Sequence, residues 1–352
     1  MVERLIDANL DRIGEGLRVL EDIARFVLND GELSKQFKIL RHNLQQSSHF
    51  APQRLLVARN TVGDMARDIE TPDEGQRADL PALAVANSRR VQQSLRVMEE
   101  FAKLPPTPPA SSLEFKQARF TLYKLEQDLV AKLVRQDKVA QLAGVCLILD
   151  IQALQGRDEQ EVARQAIHGG AKAIQLRDKQ SDKRKVLDRA QRLKAVCAEE
   201  GALFIINDWL DLALAVGADG VHLGQQDLPL TQARRLLPID KLIGCSTATL
   251  AEARQAQSEG ADYIAVGSLY PTMSKENIRP AGLAILTQIR QAASCPLIAI
   301  GGIDETNVVE VIRGGADGVA VIHAILGAED IESATHRLAA KVAQAKGGKP
   351  NV

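Results

Sequence analysis

No apolar run in this 352-residue chain approaches the roughly 20 residues that a membrane-spanning helix needs. Cysteine is scarce: Cys146, Cys197, Cys245 and Cys295 fall in or beside apolar segments, without CxxC spacing. That pattern argues against a disulfide framework or a zinc site, and fits buried reduced thiols in a cytoplasmic protein. Neither sign of charge dominates. With a formal net charge of −1, no global field draws the chain to nucleic acid or to an anionic membrane. Any anionic ligand must be held by a local basic cluster. The opening MVERLIDANLDR places acids early and lacks the apolar core of a signal peptide. What remains is ordinary globular composition, 45% hydrophobic and 25% charged, with length enough for two domains.

The two parts of the chain follow different patterns. Residues 1–138 are expected to form an all-α helical domain. Leu10, Ile13, Leu17, Leu20 and Ala24 recur at steps of three and four, which puts them on one helix face, with Asn9 as the expected N-cap. Segments near 33–47, 82–103 and 113–137 repeat that period. The polar stretch 61–77 and the proline-rich LPPTPPASS separate them, and Pro105 and Pro106 should stop a helix. This half also repeats itself. NLDRIGEGLRVLEDIARF from Asn9 matches NSRRVQQSLRVMEEFAKL from Asn87, pairing Asn9/Asn87, Arg12/Arg90, Leu17/Leu95, Arg18/Arg96, Val19/Val97, Glu21/Glu99 and Ala24/Ala102. A duplicated helical hairpin is the expected arrangement. The matched Arg and Glu read either as surface ion pairs at helical spacing or as a polar site at the pseudo-dyad. Arg59, Asp64 and Asp68 form a further polar group in the intervening loop, as a second site or as plain solvated charge.

From residue 139 to 352 short apolar runs alternate with amphipathic helices. The strand candidates are VCLILD, AIQLRD, LFIIND, GVHLG, LIGCST, YIAVGS, LIAIGG and GVAVI. Strands apolar along most of their length indicate a parallel sheet covered by helices. Eight βα units predict a (β/α)8 TIM barrel, an α/β fold, rather than a doubly wound sheet, and no GxGxxG follows the first strand. Active sites of such barrels lie at the C-terminal strand ends. There the second strand offers Gln175, Arg177 and Lys179 at alternate positions, one amide and two cations suited to a diphosphate. Asn207-Asp208 end the third strand and Gln225-Gln226-Asp227 follow the fourth. Hard carboxylate oxygens from adjacent strands suit a Mg²⁺ shared with phosphate, although each aspartate alone could cap a helix. Ser246 reads as a ligand contact or a helix cap, and no histidine near it in sequence marks it as a nucleophile. Thr272, Ser274 and Lys275 supply two hydroxyls and a cation on a loop, with a plain surface loop as the alternative. Gly301-Gly302 and Ile322-His323, after the last two strands, occupy the position where backbone N–H groups hold phosphate in this fold, with a tight turn and a packed histidine as the plain alternatives.

QLRDK, INDWLDLALAVGADGVHLGQQDLP, IGCST, GSLYPTMSK, AIGGI and GADGVAVI, in this order across about 140–340, closely resemble the thiamine-phosphate synthase family. The resemblance implies condensation of hydroxymethylpyrimidine diphosphate with a thiazole phosphate. It assigns Gln175, Arg177, Lys179, Asn207, Ser246 and Lys275 to the pyrimidine diphosphate. Asp208 and Asp227 fall to Mg²⁺, and Thr272, Ser274, Gly302, Ile322 and His323 to the thiazole phosphate. Serine often stands in the family where this chain has His323. Arg177, Lys179 and Lys275 are expected to be catalytic, by neutralising a departing pyrophosphate. The implied partners are small phosphorylated molecules, with neither nucleic acid nor membrane. A thiazole tautomerase of the same superfamily is the nearest rival; it resembles the synthase but has a histidine where this chain has Ala248. A non-catalytic sensor of thiamine intermediates is the rival from another class. The helical half resembles an N-terminal extension of some synthases. Dimerisation into a homo-oligomer, handling of a pyrimidine intermediate and support of the barrel are its candidate roles.

Overall fold

The computed structural model describes residues 2–46, 52–59, 77–104, 109–271 and 282–347. Two compact units divide the chain, Met1–Gln136 and Asp137–Val352.

In the first unit the described elements are all helical: α1 (Val2–Asp22) running into a π-turn (Ile23–Val27), α2 (Gly31–Gln46), α3 (Pro52–Ala58), α4 (Leu80–Phe101) and α5 (Pro109–Gln141), whose last five residues belong to the second unit. The predicted apolar stripe is its core. Ile13, Leu17, Leu20 and Ala24 of α1 and the π-turn are buried with their counterparts Val91, Leu95, Met98 and Ala102. The match extends beyond the segments compared in the sequence: Phe37 and Phe115 are both buried, as are Leu44 and Leu122. Gly16 lets α1 approach α4, because a β-carbon there would stand 2.5 Å from a Val91 methyl. Asn9 does not cap α1. The helix begins seven residues earlier, since nothing in VERLIDAN breaks it, and buried Asn9 donates from Nδ2 to the Leu5 carbonyl at 2.8 Å. Asn87 repeats this bond to Leu83 at 2.9 Å. Pro105 and Pro106 lie outside the described residues, but α4 has already ended at Phe101.

The matched charges are more than surface pairs. Glu21 is buried and accepts from Arg18 of its own helix at 3.3 Å and from Arg41 of α2 at 2.9 Å. Glu99 does the same with Arg96 at 2.8 Å and with Arg119 of α5 at 2.9 Å. Each copy thus clips its own hairpin shut with one acid between two arginines, and no site forms between the copies from these residues. Arg59 donates to both carboxyl oxygens of Asp7, at 2.8 and 2.9 Å, and to Asp11 at 2.6 Å. Asp64 and Asp68 lie outside the described residues.

The second unit is a closed parallel barrel in the order of the sequence. Its strands are β1 (Val145–Asp150), β2 (Ala171–Arg177), β3 (Leu203–Asn207), β4 (Gly220–Leu223), β5 (Leu242–Thr247), β6 (Tyr263–Val266), β7 (Leu297–Ile300) and β8 (Gly318–Val321). Between and after them run α6 (Glu159–His168), α7 (Lys183–Glu199), α8 (Leu210–Val216), α9 (Leu230–Leu236), α10 (Leu250–Ser258), α11 (Gly282–Ala292), α12 (Val308–Arg313), α13 (His323–Leu326) and α14 (Ile331–Gly347). The doubly wound alternative is excluded by the β1–β8 pairing that closes the sheet.

Alternation sorts the strand side chains into two cores. Ile174, Leu176, Phe204 and Ile206 pack outward against the helices, where full burial of a side chain such as Phe204 stabilises by roughly 1.5–3 kcal/mol. Cys146, Ile148, Ala173, Leu203, Ile205, Leu242, Tyr263, Ile298 and Ala320 fill the barrel. At the strand starts, Asp219, Asp262 and Asp317 close the register: their carboxylates accept from the backbone N–H of Phe204, Ile243 and Leu297 on the neighbouring strand, at 3.0, 2.7 and 2.9 Å. One rim is thereby tied down, and chemistry is left to the other.

Candidate active site

At the C-terminal strand ends the inward positions cease to be apolar. Gln175, Arg177, Asn207, His222 and Ser246 line one cavity of about 150 Å³, together with Ile148, Ile300 and the turns Gly301–Gly302 and Ile322–Ala324. Strand register explains the set: Asn207 pairs with His222, and His222 with Gly244, two residues before Ser246 on the same face.

Two turns shape one wall of the cavity. Gly302 has φ +64°, and a β-carbon there would stand 2.5 Å from the Pro271 carbonyl oxygen, so only glycine fits. Asn307 donates to the Gly302 carbonyl at 2.9 Å and fixes the turn. His323 begins α13, with Ile322 just before it. Both line the cavity.

The cations do not stand alone. Arg177 pairs with Asp150, a buried acid at the end of β1 that also accepts from the Gln152 N–H at 2.9 Å. Between the two cations, Asp178 turns away: it accepts from the Ser181 N–H at 3.0 Å and from Arg189 at 2.5 Å. Burial works against its charge, yet these donors hold its carboxyl below the usual carboxylate value. Lys179 reaches across to Asp208 at 3.1 Å, and it is absent from the cavity wall.

Asp208 and Asp227 face one another. Burial, with the neighbouring Asp208 carboxylate adding to it, raises the Asp227 carboxyl above its usual value, although the Gly224 N–H at 2.6 Å and Lys179 oppose the shift. Neither aspartate serves as a helix cap. Trp209 and Pro229 occupy the cap positions of α8 and α9, and Asp227 closes a turn onto Gly224. Asp208 adopts φ +64°. Among the described residues no cluster of three or more His, Cys, Asp or Glu forms, so a metal here would rest on two carboxylates. Ser246 does not cap α10 either, because Thr249 does.

Thr272, Ser274 and Lys275 lie outside the described residues. Three polar residues were missed by the sequence reading: Ser268, which lines the cavity and donates from Oγ to the Tyr270 carbonyl at 2.8 Å, His222 and Asp150. His222 sits 2.9 Å from Ser246 Oγ, and Asp150 pairs with Arg177. The signal for His222 was parity: in GVHLG, Val221 and Leu223 face the helices, leaving the histidine inward.

The fold and this rim define a (β/α)8-barrel protein of the enzyme type, with a cavity at the C-terminal strand ends lined by amide, guanidinium and glycine-turn groups. Residues 145–325, just over half the chain, match the model of the thiamine monophosphate synthase family, and residues 4–128 match that of the ThiD2 family. A thiamine-phosphate synthase of Nostoc sp. is 41% identical over 98% of this chain and 95% of its own length. One from Gloeobacter violaceus is 43% identical over 94% of each. The solved thiamine phosphate pyrophosphorylase of Pyrococcus furiosus is 39% identical, with a TM-score of 0.55, and covers 59% of this chain and 98% of its own. The chain belongs to the thiamine-phosphate synthase family.

Proposed function

We propose that this chain joins hydroxymethylpyrimidine diphosphate to a thiazole phosphate, giving thiamine phosphate and pyrophosphate. The observation that carries the reading is the facing Asp208–Asp227 pair on the rim that also holds Gln175, Arg177, Asn207 and Ser246. Two carboxylates left with one lysine between them are a poor ion pair and a good seat for a divalent cation. With two protein ligands, Mg²⁺ would complete its shell with water and phosphate oxygens, and when bound it would offset charge on a leaving pyrophosphate.

The chain's own groups do the rest. Arg177 and Lys179, released from Asp150 and Asp208, bind the diphosphate together with Lys275. Gln175, Asn207 and Ser246 hold the pyrimidine, whose electron-rich ring stabilises the methylene cation left as the C–O bond breaks. Gly302, Ile322, His323, Thr272 and Ser274 hold the thiazole phosphate so that its ring nitrogen attacks that carbon. The new C–N bond replaces the C–O bond, and pyrophosphate carries away the electron pair. No protein nucleophile is required, so positioning and fixed charge supply the rate. The two compact units support a division into a helical domain, 1–138, and a catalytic domain, 139–352.

Pyrophosphate release, measured with each substrate alone and with both, tests the reading. Release that needs both substrates and Mg²⁺ supports it. No release with both, or release without the thiazole phosphate, overturns it.

A further inference from the structure

Tyr263, His222 and Ser246 come from β6, β4 and β5, and their polar atoms form a chain inside the barrel. Tyr263 Oη lies 3.1 Å from His222 Nδ1, and His222 Nε2 lies 2.9 Å from Ser246 Oγ. Tyr263 and His222 are 3% and 5% exposed, and their rings stack with centroids 5.6 Å apart. Room for the Tyr263 ring is made by Gly244, where a β-carbon would collide with it.

Hydrogen-bond direction in this chain can be deduced. Among the described residues, the bond to His222 is the only one the Tyr263 hydroxyl makes. Burial pushes its phenol well above the usual value, so the proton stays on. Were Nδ1 to donate to Tyr263, that phenol proton would be stranded in an apolar core, which costs about 1–3 kcal/mol. If Tyr263 donates instead, Nδ1 is the acceptor, and the neutral imidazole carries its proton on Nε2. Nε2 then donates to Ser246 Oγ, whose own proton has no other partner among the described residues. That proton is free for the cavity that Ser246 lines.

We propose that Tyr263 and His222 are positioning residues that fix Ser246 as a hydrogen-bond donor to a lone pair on the bound heteroaromatic ring. The identity of that ring as the pyrimidine rests on the function proposed above; the direction of the relay does not. His222 in this state cannot take the Ser246 proton, so the Ser–His pair orients a ligand instead of activating a nucleophile.

The test is ¹⁵N spectroscopy of the full chain with labelled histidine, in which His222 is assigned among the six histidines by its loss in His222→Gln. The expected result is a proton on Nε2 in the wild-type chain and a loss of that preference in Tyr263→Phe. The same variant should lower kcat/KM for the pyrimidine diphosphate about tenfold, one hydrogen bond's worth, and leave KM for the thiazole phosphate unchanged. His222→Gln, whose amide nitrogen reaches toward the Nε2 position, should retain more activity than His222→Asn, whose amide sits nearer Nδ1. A proton on Nδ1 in the wild-type chain, or Asn performing as well as Gln, overturns the proposal. Because the tautomer is measured without substrates, an unreactive wild-type chain with the Nε2 proton in place would defeat the functional reading alone.

Discussion

Acids meet bases in both halves of this chain, but at the duplicated clips and at the barrel rim the stoichiometry is opposite. In the helical unit one buried carboxylate stands between two arginines, at Glu21 and again at Glu99. On the barrel rim two facing carboxylates share one lysine. A charge with partners to spare holds structure together. A pair of like charges without enough partners costs stability and waits for a ligand. The rim's imbalance recurs in the helical unit, where Arg59 alone stands between Asp7 and Asp11, so stoichiometry tells the clips from the rim but does not by itself mark a site.

The sharpest way to break that comparison is to remove charge at the rim. Asp208→Asn and, separately, Lys275→Ala should lower turnover about a hundredfold or more while melting near the wild-type temperature. Near-wild-type rates in both would remove the rim from the chemistry. Next in size is the separability of the halves. Residues 137–352 expressed alone should fold, as judged by circular dichroism, and keep pyrophosphate release within about threefold of the full chain. Loss of all activity in a folded barrel would tie the helical unit to catalysis.

A smaller effect is expected from the clip. Glu99→Gln leaves Arg119 facing an amide in a buried setting, and should cost about 1–2 kcal/mol in denaturant unfolding, with barrel turnover unchanged. Burial opposes the charge of Glu99, but Arg119 and Arg96 hold its carboxyl below the usual value. Its contribution is therefore present above the unfolded carboxylate value, about 4.3, and is lost as pH falls through the lower folded value. Asp227 is displaced the other way. Its raised carboxyl holds a proton at higher pH than an ordinary aspartate, so the Mg²⁺ concentration for half-maximal rate should climb as acid is added, starting above the usual carboxylate range. Asp227 loses a like-charged neighbour in Asp208→Asn, and a metal titration of that variant should show a weaker pH dependence. Smallest of all is Arg18→Ala: Arg18 is about half exposed, Arg41 still holds Glu21, and less than about 0.5 kcal/mol should be lost.

The barrel was legible because each strand is short, apolar and punctuated, so eight runs could be counted before any contact was known. Asp208 and Asp227 were legible for a related reason, standing where apolar residues stop. The duplication at Asn9 and Asn87 could be seen, but its meaning could not. Arg41 and Arg119, which complete the clips, lie 20 residues beyond their glutamates on another helix. His222 escaped notice because its partners, Ser246 and Tyr263, are 24 and 41 residues away, brought near only when the sheet closes. Asn9 was misplaced because an asparagine near a helix start resembles a cap until the preceding turns are found to be helical as well.

Asp208 sits in the left-handed backbone region, at φ +64°. Asparagine and aspartate visit that region several times more often than most residues with a β-carbon, and β-branched residues rarely do. The position is thus filtered twice, once for a negative oxygen and once for a backbone that few side chains accept. Most substitutions there would add a backbone cost of about 1–2 kcal/mol to the loss of charge, so asparagine is the replacement that reports most nearly on charge alone.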